Sequence, residues 1–231
     1  IINQFVSNDV DLILANATAA LQAAAAGTSE IPILGTSITD YATALDIDNW
    51  TGTTGLNISG TSDLAPLDQQ AAMLNELFPE AKNVGLLYCS AEPNSKYQAT
   101  TVKGYLEELG YTCKEYTFAD SNDIASVTTT AAGENDVLYV PTDNTAASNA
   151  EIINNICLPA KVPLIAGEEG ICSGCGVATL SIDYYDIGYK AGEMGAEILM
   201  DGKDVKEMPI EFAPEVTKKY NKANCEALGI T

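Results

Sequence analysis

Short β-branched runs alternate with amphipathic stretches along almost the whole chain, and that order restricts the fold more than any other feature. "VDLILAN" (10–16) reads as a strand and "ATAALQAAAAG" (17–27) as an Ala-rich helix that Gly27 ends. "IPILGTS" (31–37) and "GLNIS" (55–59) are the next strands, with a Thr- and Gly-rich loop between them. "PLDQQAAMLNELF" (66–78) is a helix with Pro66 at its start and Ala71, Leu74, Leu77 and Phe78 on one apolar face. A second series repeats the plan. Its strands are "NVGLLYC" (83–89), "TCKEYTF" (112–118), "DVLYV" (136–140), "VPLIAG" (162–167) and "GVATLSID" (176–183). Helical stretches at 95–110, 121–133, 144–157 and 184–202 lie between and after them, and "MPIEFAP" leads to a closing helix over 215–228. Strands alternating with helices predict parallel sheets covered on both faces. The break near Phe78–Asn83 predicts a crossing between two α/β lobes.

Composition narrows the function. The 231 residues carry 32 Asp and Glu against 11 Lys and Arg, a formal charge of −21. Such a charge repels nucleic acid and anionic membrane, so neither is expected as a partner. No apolar run is long enough to span a bilayer, and the opening "IINQFVSNDVD" has no signal-peptide pattern. The chain holds no histidine. That excludes a Ser-His-Asp triad, a Cys-His pair and a histidine-bound zinc. An enzyme would have to use carboxylates, Tyr, Lys or a cofactor, whereas a binding role calls for no catalytic residue, metal or cofactor, and none is expected. Of six cysteines only Cys172 and Cys175 are closely spaced, and the plain reading is buried or surface thiols with at most one disulfide.

Ligands of parallel α/β sheets bind beyond the carboxyl ends of the strands. Those ends present Asn16, Ala17 and Thr18; Thr36, Ser37, Thr39 and Asp40; Ser59, Thr61, Ser62 and Asp63; Ser90, Glu92, Asn94 and Ser95; Thr142, Asp143, Asn144 and Thr145; Glu168 and Glu169; and Asp183, Tyr184 and Tyr185. None ends in Lys or Arg. Helix N-capping accounts for one such residue per end, but it does not require "TDN", "GEEG" and "SAEPNS" together. Helix N-termini offer N–H groups to a carboxylate, and the nearby carboxylates suit an ammonium. A zwitterion, an amino acid, meets both demands. Phosphate ligands fit poorly, because neither G-x-x-x-x-G-K-[ST] nor a strand followed by G-x-G-x-x-G is present.

At "YVPTDNT", "PLIAGEEG" and "SIDYYDIGYKAGEMGAEIL" the chain resembles the substrate-binding proteins of ABC transporters with the type I periplasmic-binding fold, in the subfamily for tryptophan and other aromatic amino acids. "VDLILANATAALQAAA", "IPILGTSITD", "GTSDLAPLDQQAAMLNELFPEAKNVGLLY" and "SAEPNS" extend the resemblance in order over nearly the whole chain. It implies two Rossmann-like lobes joined by three crossings: 1–82 with 184–202, and 83–183 with 203–231. Family members begin with a strand, a helix and a second strand ahead of "IINQFVSNDVDLIL". The first lobe is therefore expected to be incomplete, by about 50–60 residues at typical unit sizes.

The resemblance further implies a monomeric extracytoplasmic receptor, anchored as a surface lipoprotein or free in a periplasm, that closes on its ligand by a hinge and docks on an ABC permease. Thr18 and the N–H groups around it, with Asn94 and Ser95, would bind the ligand carboxylate from opposite lobes. Asp143 or Asp183 would take the ammonium, supported by Thr142, Asn144 and Glu168. Tyr184 and Tyr41 are candidates for an aromatic wall, and Asp63 and Glu92 for the cleft rim. Two rivals share the scaffold: an α/β enzyme acting on a small metabolite, and a cell-surface sensor.

Overall fold

A computed structural model of the chain describes residues 1–230, which form two compact units. Unit 1 comprises Ile1–Leu64 and Ile182–Glu215, and unit 2 comprises Ala65–Ser181 and Val216–Thr231. The chain therefore crosses after residues 64, 181 and 215, where the resemblance implied divisions at 82, 183 and 202. Two segments change sides. Helix 67–77 packs along helix 93–108 of unit 2, and strand 211–212 adds to the sheet of unit 1.

Unit 1 is a four-stranded sheet in the order β1-β2-β3-β9, built from β1 (Ile13–Asn16), β2 (Ile33–Ile38), β3 (Ile58–Ser62) and β9 (Glu211–Phe212). Every neighbouring pair is parallel. Helices α1 (Ile2–Ser7), α2 (Thr18–Gly27), α3 (Tyr41–Leu45) and α10 (Tyr184–Asp201) complete it. Ile13, Leu21, Ala24, Ile33, Ile38 and Ile58 form the core between α2 and the sheet. Leu34 and Met194 join Val205 and Met208 on the other face.

Unit 2 is a six-stranded sheet in the order β10-β8-β7-β6-β4-β5. Its strands are β4 (Asn83–Cys89), β5 (Thr112–Phe118), β6 (Val137–Val140), β7 (Leu164–Ala166), β8 (Ala178–Ile182) and β10 (Val216–Tyr220). Its helices are α4 (Leu67–Leu77), α5 (Pro93–Glu108), α6 (Ile124–Glu134), α7 (Asn144–Ser148), α8 (Ala150–Ala160), α9 (Glu169–Cys175) and α11 (Lys222–Leu228). All four residues of β6 are buried, as expected for a parallel strand covered on both faces. Edge strand β5 instead buries only Tyr116 and Phe118.

Four local differences from the sequence pattern have physical causes. The third strand starts at Ile58 rather than Gly55, because Gly52 and Gly55 hold left-handed φ values of 93° and 68° and the chain is still turning there. The helix expected over 144–157 is interrupted at Asn149, whose Nδ2 donates to Thr145 O at 2.8 Å and competes with the helix's own bonding. The closing helix begins only at Lys222; residues 216–220 are strand β10, as their β-branched start suits. Short helices α1, α3 and α9 lie in stretches too brief to show a helical period. Among the described residues no helix is long and apolar enough to cross a membrane.

Tyr41 shows how tightly unit 1 is built. Gly35 and Gly60 are paired across β2 and β3, and the Tyr41 ring lies over them with its hydroxyl donating to Thr61 O at 3.1 Å. It is only 2% exposed, so it is core and not the aromatic wall expected for it. A Cβ at Gly60 would collide with Gly35 O and the Tyr41 hydroxyl, and φ there is 143°. Gly60→Ala is expected to destabilise the protein by about 3–5 kcal/mol, the range of severe core damage, read as a lowered urea midpoint. A midpoint equal to wild type would contradict this packing.

Candidate functional site

Strand order β5-β4-β6-β7-β8 is the doubly wound order in which the first strand lies between the second and third. The connection after β4 leads outward to β5, while that after β6 leads the other way to β7. A crevice therefore opens between the carboxyl ends of β4 and β6, the switch point at which such sheets place ligands. Glu92, Asn94 and Ser95 follow β4, and Thr142, Asp143 and Asn144 follow β6. The fold brings these six sequence-predicted residues together.

They are knitted by hydrogen bonds. The carbonyl of Thr142 accepts from Asn94 Nδ2 at 3.1 Å, Ser95 Oγ at 3.3 Å and Gln98 Nε2 at 3.1 Å. Thr142 N–H donates to Gln98 Oε1 at 3.2 Å. Asn94 and Ser95 are buried, so their side chains hold the β6 turn against the first turn of α5. Glu92 is the residue before that helix, yet its carboxylate does not cap it. It reaches over to α7: Oε2 accepts from Asn144 N at 2.9 Å and Nδ2 at 2.8 Å, and Oε1 from Thr145 N at 2.9 Å and Oγ1 at 2.8 Å. The Asn94 N–H is thereby left without a side-chain cap, while Pro93 has no N–H and Ser95 and Lys96 donate to Glu92 O at 3.1 and 3.2 Å.

Asp143 is 1% exposed. Its Oδ1 accepts from Ala146 N at 2.7 Å, capping α7, and its Oδ2 from Cys89 N at 2.7 Å, tying the end of β4 to the end of β6. Burial, then the nearby Glu92 carboxylate, pushes its pKa up against the bonds from Ala146 and Cys89. Desolvation pushes Glu92 the same way, but the four bonds from Asn144 and Thr145 outweigh it and hold Glu92 below its ordinary value. None of the ion pairs of the described residues involves either carboxylate.

After β7, Gly167 lies so close to the β6 turn that a Cβ would stand 2.6 Å from Thr142 N and 2.7 Å from Pro141 C. Glu168 then caps α9, accepting from Gly170 N and Ile171 N. Its carboxylate is occupied by this cap. Cys172 and Cys175 follow on α9 as buried free thiols, and all six cysteines are free. Burial raises the Cys172 thiol to about 12 and raises the Cys175 thiol as well, which disfavours the thiolate a redox motif needs.

Unit 1 carries the other predicted residues at its own strand ends. Thr18 is buried in the first turn of α2, which has no side-chain cap. The residue before it, Ala17, holds φ 75° and ψ 155°, a conformation nearly confined to glycine. Asp63, 4% exposed, accepts from the Tyr184 hydroxyl at 3.1 Å through Oδ2. Asp183 is exposed and caps α10, with Oδ1 accepting from Tyr185 N at 2.8 Å. Capping, the plain reading of acidic strand ends, thus accounts for one interaction each of Asp143, Glu168 and Asp183. The sequence pattern missed Gln98. Gln98 stands one turn beyond Asn94 in "NSKYQ", a spacing that could have revealed it.

The family model for ABC transporter substrate binding proteins matches residues 1–231. The chain belongs to this family. Its members are receptors rather than enzymes, and the two α/β units with parallel sheets are those of the type I periplasmic-binding fold. The chain is 36% identical over 228 residues to a tyrosine-binding protein of Clostridioides difficile, a match covering 99% of this chain and 66% of that protein. Among solved structures it is similar to an ABC domain in complex with L-Trp from Streptococcus pneumoniae, with TM-score 0.93 and 32% identity over 100% of this chain and 79% of the other. A conserved domain protein from Vibrio cholerae gives TM-score 0.93 and 31% identity over 100% and 77%.

In this substrate-binding chain Glu92 braces the edge, and its depressed pKa fixes the sign of a test. A carboxylate whose folded pKa lies below its unfolded one contributes stability above the unfolded value and loses it as pH falls through the folded value. Glu92→Gln is expected to cost about 2 kcal/mol at pH 7, typical of bonds to a charged acceptor. The deficit relative to wild type should shrink as unfolding is measured towards pH 3. A deficit that stays constant with pH would show that the charge does not matter.

Proposed function

We propose that this chain is the extracytoplasmic solute receptor of an ABC importer and binds an aromatic amino acid. The observation that carries this reading is the whole-chain likeness to the pneumococcal protein bound to L-Trp; the tyrosine-binding relative supports the same ligand class.

The chemistry of unit 2 suits the charged end of such a ligand. At the start of α5 Pro93 has no N–H, and Ser95 and Lys96 donate to Glu92 O at 3.1 and 3.2 Å, so the Asn94 N–H and the positive dipole end are what favour a carboxylate there. Buried Asp143 and half-buried Glu92 form an acidic pair lacking a cationic side-chain partner among the described residues. An ammonium there would offset both the burial and the repulsion that raise Asp143. Thr142, Asn144 and Glu168 support this arrangement by fixing the turn and the next helix. Unit 1 offers the same pair of functions separately: the uncapped start of α2 at Thr18, held by strained Ala17, for a carboxylate, and Asp183 and Asp63 for an ammonium. Tyr184, half-buried and oriented by Asp63, is the ring proposed to line the aromatic part. Docking on a permease, lipid anchoring and a monomeric state complete the proposal.

Calorimetry with L-Trp, L-Tyr and L-Phe is expected to give a Kd of about 1 μM, some −8 kcal/mol, for at least one of them. L-Glu and glucose should give no heat. Asp143→Ala should weaken binding at least tenfold, about 1.4 kcal/mol. Affinity should also fall as pH drops through the raised Asp143 value, because the ammonium needs the ionised carboxylate. Silence with all three aromatic amino acids would overturn the ligand assignment, and an Asp143→Ala affinity within twofold of wild type would remove that residue from it.

A further inference from the structure

Gln70 is the fourth residue of α4 and is 1% exposed, an unusual burial for a glutamine. Its amide is fully used. Nε2 donates to Gly167 O at 3.0 Å and to Leu180 O at 2.9 Å, and Oε1 accepts from the Tyr139 hydroxyl at 2.7 Å. Tyr139, in the middle of β6, has no solvent exposure. One side chain on a helix therefore grips three neighbouring strands, β6, β7 and β8.

The two carbonyls mark where the sheet comes apart. Strands β7 and β8 pair at Ile165 with Ala178 and at Ala166 with Thr179, and the pairing ends there. The next residues along are Gly167 and Leu180. Gly167 N–H still reaches Val140 O, at 2.7 Å, but its carbonyl and that of Leu180 both turn to the Gln70 amide. A side-chain amide replaces the ladder bond at the point of divergence.

Beyond that point stand the groups of the candidate site. Gly167 precedes Glu168 and lies against Pro141 and Thr142 with no room for a Cβ. Thr142 in turn gathers Asn94, Ser95 and Gln98 from the start of α5. The contacts from Gln70 through Gly167 and Thr142 to the α5 start are continuous.

We propose that Gln70, oriented by Tyr139, is a positioning residue for the ligand-binding edge of unit 2. It fixes Gly167, and through Gly167 the Thr142 turn against which the open start of α5 is held. This rests on the aromatic amino acid reading above, and its own signature is separable from that reading.

The test uses the full chain with Gln70→Met, which keeps the volume and loses the amide, and Tyr139→Phe, which deletes one hydroxyl. Ile124→Val, which removes one buried methyl of the same core and no hydrogen bond, serves as the packing control. Two readouts are taken: L-Trp and L-Tyr affinity by calorimetry, and amide hydrogen exchange without ligand. Gln70→Met is expected to weaken affinity at least tenfold and Tyr139→Phe three- to fivefold, with Ile124→Val unchanged. Exchange at residues 141–146 and 167–171 should accelerate in both variants, while β4 and β5 keep their wild-type protection. Tyr139→Phe decides the matter if Gln70→Met does not fold. Affinity within twofold of wild type in the folded variants, or an equal loss in Ile124→Val, overturns the proposal. If wild type binds no aromatic amino acid, the ligand reading fails by itself; exchange then decides, and unchanged rates at 141–146 and 167–171 overturn the positioning role.

Discussion

A parallel sheet covered by helices obliges every strand to end in a turn that starts a helix, and every helix start exposes backbone N–H groups that must find acceptors. How this chain meets that demand organises both units. After β2, β6, β7 and β8 the cap is the chain's own acid: Asp40, Asp143, Glu168 and Asp183. After β1, β3, β4 and β5 no side chain caps the next helix, and α2, α4, α5 and α6 begin without one. For α5 the omission has a visible cause. Glu92 stands at the capping position and spends its carboxylate on Asn144 and Thr145 instead. Five of the eleven α-helices have a side-chain cap and six do not, so what sets α5 apart is the diversion of Glu92 rather than the bare start itself.

Much of the fold was legible because each signal was local. Strands β4 and β5 agree to the residue with their β-branched and aromatic runs, and α10 begins at Tyr184 as its apolar period predicts. The failures lie where tertiary pairing decides. Val216–Tyr220 carries charges that mask its strand character until it lies at the edge of the sheet. Helix 67–77 gives no hint in its own pattern that it belongs with unit 2, since the anchoring Gln70 contacts are with residues about a hundred positions away.

The site was legible in kind and less so in role. Strand ends rich in Asp, Asn, Ser and Thr located the edge, and six of those residues do meet between β4 and β6. Their division of labour was not readable. Residue type alone cannot tell an acid that caps its own helix, as Glu168 does, from one that leaves its helix bare, as Glu92 does. Tyr41 misled for a related reason: a ring beside a polar turn looks available, and only the paired glycines beneath it reveal that it is core. The absence of Lys and Arg from the strand ends was the more informative feature, because it leaves Asp143 buried, raised in pKa and without a cation.

The central claim is that the uncapped helix start receives the ligand's carboxylate. Calorimetry comparing L-tryptophan and L-tyrosine with their primary carboxamides tests this most directly, since the amides keep the ring and the ammonium but remove the negative charge. The account predicts that each amide binds at least a hundredfold more weakly than its acid. Equal affinity for acid and amide would contradict it.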